Sequence, residues 1–159
     1  MYEHYFDRIY RYITLKTGDT DEAEDITQEV FLKALRAINN YRWRGAPLSS
    51  WLYRIARNQI VDHMRKRKHY PSVSLDETLA NSVYSLDNPQ TIVEIRSDVD
   101  QLIIAISKLT PAQREVIALR FTSDLSLAQV ALLMGKSVGA IKSLQYSAVE
   151  TLSKRMLIA

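Results

Sequence analysis

Four glycines and four prolines are all the backbone punctuation that 159 residues carry. Tight turns draw on glycine for positive φ and on proline for a preset φ, so a chain this poor in both cannot turn often enough for a β-sandwich or barrel. Helices joined by few breaks are the expected solution, and apolar spacing locates them. From Asp21 to Asn39, the residues Ala23, Ile26, Val30, Ala34, Leu35 and Ile38 recur at intervals that place them on one helical face. Phe6, Ile9, Tyr10 and Ile13 predict an earlier helix over residues 2–17. After the Gly- and Pro-containing break Tyr41–Pro47, Ser49 or Ser50 caps a helix with the stripe Leu52, Ile55, Ala56, Ile60 and Met64. Its last turn, Arg65–Lys68, is cationic, as the helix dipole favours.

The composition then changes: residues 69–91 gather Pro, Ser, Asp and Asn and read as a linker. Periodicity returns with Ile92, Ile95, Val99, Leu102, Ile103 and Ile106, running to Leu109. Thr110-Pro111 is a cap followed by proline at the first helical position, opening a helix to about Phe121. A short helix over Ser126–Met134 ends at Gly135, and Ser137 caps a last one running toward Met156. The expected architecture is all-α: a helical module over residues 1–68, the linker 69–91 and a second helical module over 92–159.

Charge is distributed in blocks. The chain's net charge of +3 conceals −3 over residues 1–41, +7 over 42–68, −5 over 69–100 and +4 over 101–159. Segregation of this kind suits separate surfaces meeting separate partners. The absence of cysteine excludes a disulfide framework, a thiolate metal site and a cysteine nucleophile. His4, His63 and His69 lack metal-ligand spacing, and no glycine-rich phosphate loop is present. We therefore expect no enzymatic activity, metal or cofactor. With no signal-like or membrane-spanning run, a soluble cytoplasmic protein without membrane insertion is expected.

Three features carry chemistry. The first is Ser126–Leu144, a short helix, a glycine turn and a second capped helix: the helix-turn-helix arrangement, in which the second helix enters the DNA major groove. Small Ala131 allows close approach, Val130, Leu133, Val138 and Ile141 form the shared core, and Gly139, Lys142, Ser143 and Tyr146 face outward. A helical hairpin without DNA binding fits the same pattern. The second is the outer face of the Asp21–Asn39 helix, where Asp21, Asp25, Gln28 and Leu32 align beside Glu22 and Glu29, with an apolar residue amid acids. It reads either as a protein-docking face or as a solvated one. The third is the +7 block, in which Arg54, Asn58 and Arg65 stack along one face beside Trp51, preceded by Tyr41-Arg42-Trp43-Arg44. Cations neutralise phosphates and aromatic rings stack on unpaired bases, which favours opened nucleic acid. The alternative makes the tryptophans core anchors.

The run Asp21–Leu35, followed by Arg44-Gly45, Trp51–Asn58 and Asp62-His63, closely resembles region two of the extracytoplasmic-function sigma factors. Leu109–Phe121 together with Leu125-Ser126, Met134-Gly135 and Ser137–Ser143 resembles their region four. The resemblance implies a bacterial transcription initiation factor that binds core RNA polymerase and directs it to promoters, which it recognises and opens. It assigns Asp21, Asp25, Gln28, Glu29 and Leu32 to the clamp coiled coil of the polymerase beta-prime subunit. It assigns Tyr41, Arg42, Trp43, Arg44, Trp51, Arg54, Arg57, Asn58, Asp62 and Arg65 to recognition and melting of the minus-ten element. Lys136, Ser137, Gly139, Ala140, Lys142, Ser143 and Tyr146 would read the minus-thirty-five element. An anti-sigma factor is implied as a further partner. One departure stands out: after Lys142-Ser143 the family commonly places basic residues, whereas this chain has Leu144, Gln145, Tyr146, Ser147 and Val149. A weaker or differently shaped minus-thirty-five grip is expected. A helix-turn-helix regulator acting without core polymerase is the second reading, and a helical protein-binding adaptor the third.

Overall fold

A computed structural model describes residues 2–41, 47–67, 101–102 and 104–158. Among the described residues, six α-helices follow in order: α1 (Tyr2–Thr17), α2 (Thr20–Ala37), α3 (Leu48–Arg67), α4 (Pro111–Thr122), α5 (Leu127–Met134) and α6 (Val138–Ile158). A 3₁₀ turn over Ile38–Asn40 extends α2, and residues 104–107 form a helical turn before α4. The linker 69–91, and Ile92, Ile95, Val99 and Ile103 of the expected stripe, lie outside the described residues.

Local chemistry sets the helix ends. Asp19 caps α2, accepting from the amides of Asp21 and Glu22. Thr110 and Ser126 each build a reciprocal capping box, with Gln113 and Gln129 respectively, so the cap amide and the third amide of each helix are satisfied. Gly135 adopts the left-handed conformation (φ 67°) past the end of α5, and the amide of Lys136 closes on the Ala131 carbonyl at 2.9 Å.

In α2 the buried face is Ala23, Ile26, Thr27, Val30, Phe31 and Ala34. Leu35 and Ile38, expected in that stripe, are exposed. The helix presents its 27/30/31/34 line to α1 and α3, which turns Phe31 onto Phe6 and turns Leu35 outward. Leu102 is exposed likewise, because the turn before α4 packs through Ala105, Ile106 and Leu109 against Ile117, Ala148 and Leu152. Val138 is the last departure: it stands at the exposed start of α6, while Ile141, one turn on, enters the core.

A continuous core joins the two halves of the chain. Ile9, Tyr12 and Ile13 of α1 belong to one buried cluster with Val116 and Leu119 of α4, Leu125, and Val130 and Leu133 of α5. The helices before residue 68 and those after residue 103 therefore close on each other across a seam formed mainly by α1 and α4.

Candidate nucleic-acid and protein interfaces

Hydrophobic burial of Ala23, Ile26 and Val30 leaves the opposite side of α2 to solvent. There Asp21, Asp25, Gln28 and Leu32 form an exposed row, and Leu32, 53% accessible, ends it. Neither Asp21 nor Asp25 has an ion partner among the described residues. Glu29 differs, since its Oε2 accepts from Gln59 Nε2 at 2.7 Å. Glu22 ties α2 to the end of α3 through Arg67 at 3.0 Å and His63 at 3.6 Å. Internal ties hold Glu22 and Glu29 while the row beside them is left open.

On α3 the buried stripe Leu52, Tyr53, Ala56, Gln59 and Ile60 fixes what points outward. Arg54, Asn58, Asp62 and Arg65 lie exposed along one line at helical spacing. Trp51 is half-buried, 5.1 Å from the Tyr41 ring between centroids. It borders a small apolar hollow of about 100 Å³ with Leu35, Ile38 and Leu48, so it packs against the module while keeping part of its ring in solvent. Arg42, Trp43 and Arg44 lie outside the described residues. Arg57 projects from another side of α3: its Nη1 donates to the Leu133 carbonyl at 2.7 Å and its Nε approaches Glu115 at 3.5 Å.

The second module presents α5 and α6 across a bend of 101°. Lys142, Ser143 and Tyr146 stand exposed on α6 with Gly139, and Ala140 is half-buried. Lys136 and Ser137 are exposed in the turn, although the Ser137 hydroxyl is used in accepting from the Ala140 amide at 3.1 Å. Open space surrounds Gly139, so the backbone at the start of α6 is approachable.

The seam was not anticipated from the sequence. Glu115, buried in α4, accepts the Tyr12 hydroxyl at 2.6 Å and pairs with Lys16 at 2.5 Å, with Arg57 alongside. Tyr53 donates to the Thr122 carbonyl at 2.9 Å, and Arg8 pairs with Asp124. Burial and the neighbouring Glu115 carboxylate raise the Tyr12 phenol well above its ordinary value, and burial raises that of Tyr53 to about 12. One signal was available: Glu115 falls in the stripe Ala112, Val116, Leu119, where a charge has to find a partner. Its partners could not be read, because Tyr12 is 103 positions away.

Among the described residues no three His, Cys, Asp or Glu side chains cluster to hold a metal ion, and no single helix is long and apolar enough to cross a membrane.

Residues 1–70 match the family model of sigma-70 region 2, and residues 105–154 match that of sigma-70 region 4. The chain is 39% identical over 154 residues to the ECF RNA polymerase sigma factor BldN of Streptomyces coelicolor, aligning over 97% of its own length and 58% of that relative's. It is 31% identical over 164 residues to the ECF RNA polymerase sigma factor SigW of Bacillus subtilis, covering 96% of this chain and 84% of the relative. In fold it is similar to the sigma factor RpoE of Bartonella quintana, solved in complex with the anti-sigma factor NepR. There the TM-score is 0.75 at 24% identity, over 96% of this chain and 92% of that one.

Proposed function

Because the chain belongs to the extracytoplasmic-function RNA polymerase sigma factors, we propose that it binds core RNA polymerase in the cytoplasm and directs it to a class of promoters, recognising and opening them. It is an initiation factor and not an enzyme; the polymerase performs the chemistry. The observation that carries the reading is the division of labour within the first three helices. A row of Asp21, Asp25 and Gln28 that ends on exposed Leu32, its acids without an ion partner among the described residues, occupies α2, and an exposed row of Arg54, Asn58, Asp62 and Arg65 occupies α3.

In this reading Asp21, Asp25, Gln28, Glu29 and Leu32 dock on the beta-prime clamp coiled coil. The α3 row, with Trp51, Tyr41 and the Arg42–Arg44 loop, takes the minus-ten element: the arginines hold phosphates and the aromatic rings stack on exposed bases. Lys136, Ser137, Gly139, Ala140, Lys142, Ser143 and Tyr146 read the minus-thirty-five duplex, with few cations to grip it. Arg57 belongs to the same DNA-facing set but is held by Glu115 and Leu133 in the closed arrangement. Promoter binding therefore requires the seam to part, and a closed chain is a resting form. The anti-sigma partner in the neighbour's complex suggests that such a protein also controls this chain.

Run-off transcription with purified core enzyme tests the reading. A promoter-dependent product that appears only when this chain is added supports it. Absence of product together with absence of co-purification with polymerase overturns it.

A further inference from the structure

A cleft of about 670 Å³ opens where the end of α3, the first turn of α4 and the turn between α5 and α6 come together. That size suits a small organic ligand. Its lining contains five cations, Lys16, Arg57, Arg65, Arg114 and Lys136, against the single carboxylate of Glu115. Lys16, Arg57 and the Tyr12 hydroxyl already satisfy that carboxylate. Three cations remain. Arg65 and Lys136 are exposed without an ion partner among the described residues. Arg114 spends one Nη on the Ser107 carbonyl, while its Nε is buried with no hydrogen-bond partner. Buried donors of this kind are rare because each forfeits its hydration; the Arg114 guanidinium adds its charge to the cleft wall. The α4 N-terminus, at Pro111 and Ala112, adds the positive end of a helix. Between the cations the floor is apolar, made by Ile60, Val61, Met64 and Met134.

We propose that this cleft binds a nucleoside polyphosphate, with the phosphates on Arg65, Arg114 and Lys136 and the base on the methionine-lined floor. The lining comes from both modules, so the ligand fits only the closed arrangement and stabilises it by mass action. It also covers Arg65 and Lys136, which the promoter-binding reading above assigns to DNA; this consequence, unlike the binding itself, rests on that reading. Occupancy and promoter engagement then exclude each other.

Titration calorimetry of the full chain with ATP, GTP and inorganic tripolyphosphate tests the site, beside run-off transcription of the same preparations. The expected result is saturable binding of ATP or GTP with a dissociation constant below about 1 mM. Ala112→Glu places a carboxylate in the cleft without touching the promoter-facing residues. It should weaken nucleotide binding by about tenfold or more, and because the ATP and GTP of a run-off mixture themselves hold the closed form, run-off product should be undiminished or increased. Lys136→Gln, read by calorimetry alone, should weaken it by a smaller factor. No saturable nucleotide binding overturns the proposal, as does binding that Ala112→Glu and Lys136→Gln leave intact. Tripolyphosphate binding as tightly as ATP and GTP overturns the assignment of a nucleoside. Failure of run-off by Ala112→Glu, whose nucleotide binding is weakened, would refute the promoter reading, while saturable binding by the parent chain would leave the site standing.

Discussion

Replacing Glu115 by Gln removes one charge from the centre of the seam and almost no volume. The amide oxygen still accepts the Tyr12 hydroxyl, so the loss falls on the two cations. The Glu115 side chain is 5% accessible, Lys16 17% and Arg57 38%. Breaking a fully buried pair by removing one partner costs about 3–5 kcal/mol, whereas exposed pairs are worth about 0.2–1 kcal/mol. Arg57 is more than a third exposed and keeps the Leu133 carbonyl, so it recovers much of its solvation. Lys16 does not. An intermediate cost of about 2–3 kcal/mol follows, shifting the closed-to-open ratio by about 30- to 150-fold. The chain contains no cysteine, so cysteines introduced at exposed Lys33 and Ser153 accept a fluorophore pair without background labelling. Glu115→Gln should lower energy transfer between them while far-UV circular dichroism stays helical. Tyr12→Phe leaves the carboxylate with both cations and should have the smaller effect, about 1 kcal/mol. A change below about threefold for Glu115→Gln, or a larger effect for Tyr12→Phe, would refute the assignment of the seam's strength to this charge.

Asp25→Arg combined with Leu32→Asp changes two exposed positions and should abolish co-purification with core polymerase while leaving helicity intact; unchanged affinity removes the α2 face as the dock. In alkaline solution the seam should weaken in a defined window. Tyr12 and Tyr53 stay protonated when folded to well above pH 10 and to about 12 respectively, but ionise near 10 when unfolded. Their contribution is fully present below pH 10 and is lost as pH climbs from there toward the folded values, at about 1.4 kcal/mol per unit per tyrosine. Phenylalanine at both positions should flatten that limb of a denaturation-against-pH profile, and an unaltered limb would contradict the cause. Gly135→Ala meets no atom within 4 Å but must hold φ 67°. It should cost about 1 kcal/mol, or about 2–4 °C in Tm, and a Tm at or above that of the parent would count against the strain argument. On promoter templates, scrambling the minus-thirty-five element should reduce run-off less than scrambling the minus-ten element, given the uncharged Leu144–Val149 stretch; the reverse order would refute this division.

Much of this protein is legible in local pattern because helices are local objects. Spacing placed α1 at residues 2–17, where the structure has it, and Thr110-Pro111, Ser126 and Gly135 marked helix ends that the structure shows as two capping boxes and a left-handed stop. The exposure of Leu32 and of the Arg54, Asn58 and Arg65 line was likewise implied by which residues had to be buried. Errors arose where a helix has apolar residues on more than one face. Leu35, Ile38, Leu102 and Val138 satisfied the period yet lie exposed, while Phe31 and Tyr53 took core places. Periodicity defines a stripe, but the neighbouring helix chooses which edge of it is covered.

The amino-acid sequence by itself determined the helices, the caps at Thr110, Ser126 and Ser137 and the segregation of charge, all set by interactions within a few residues. The cap expected at Ser49 or Ser50 is misplaced, since α3 begins at Leu48 and takes both serines into its first turn. Only the tertiary structure decided that the two modules share one core, that Glu115 draws Tyr12, Lys16 and Arg57 to itself, and that Arg57 is thereby taken from the row of cations beside it. The reason is physical. A carboxylate removed from water must find donors wherever the fold brings them, and those donors lie 58 to 103 residues away along the chain, beyond the reach of any local pattern.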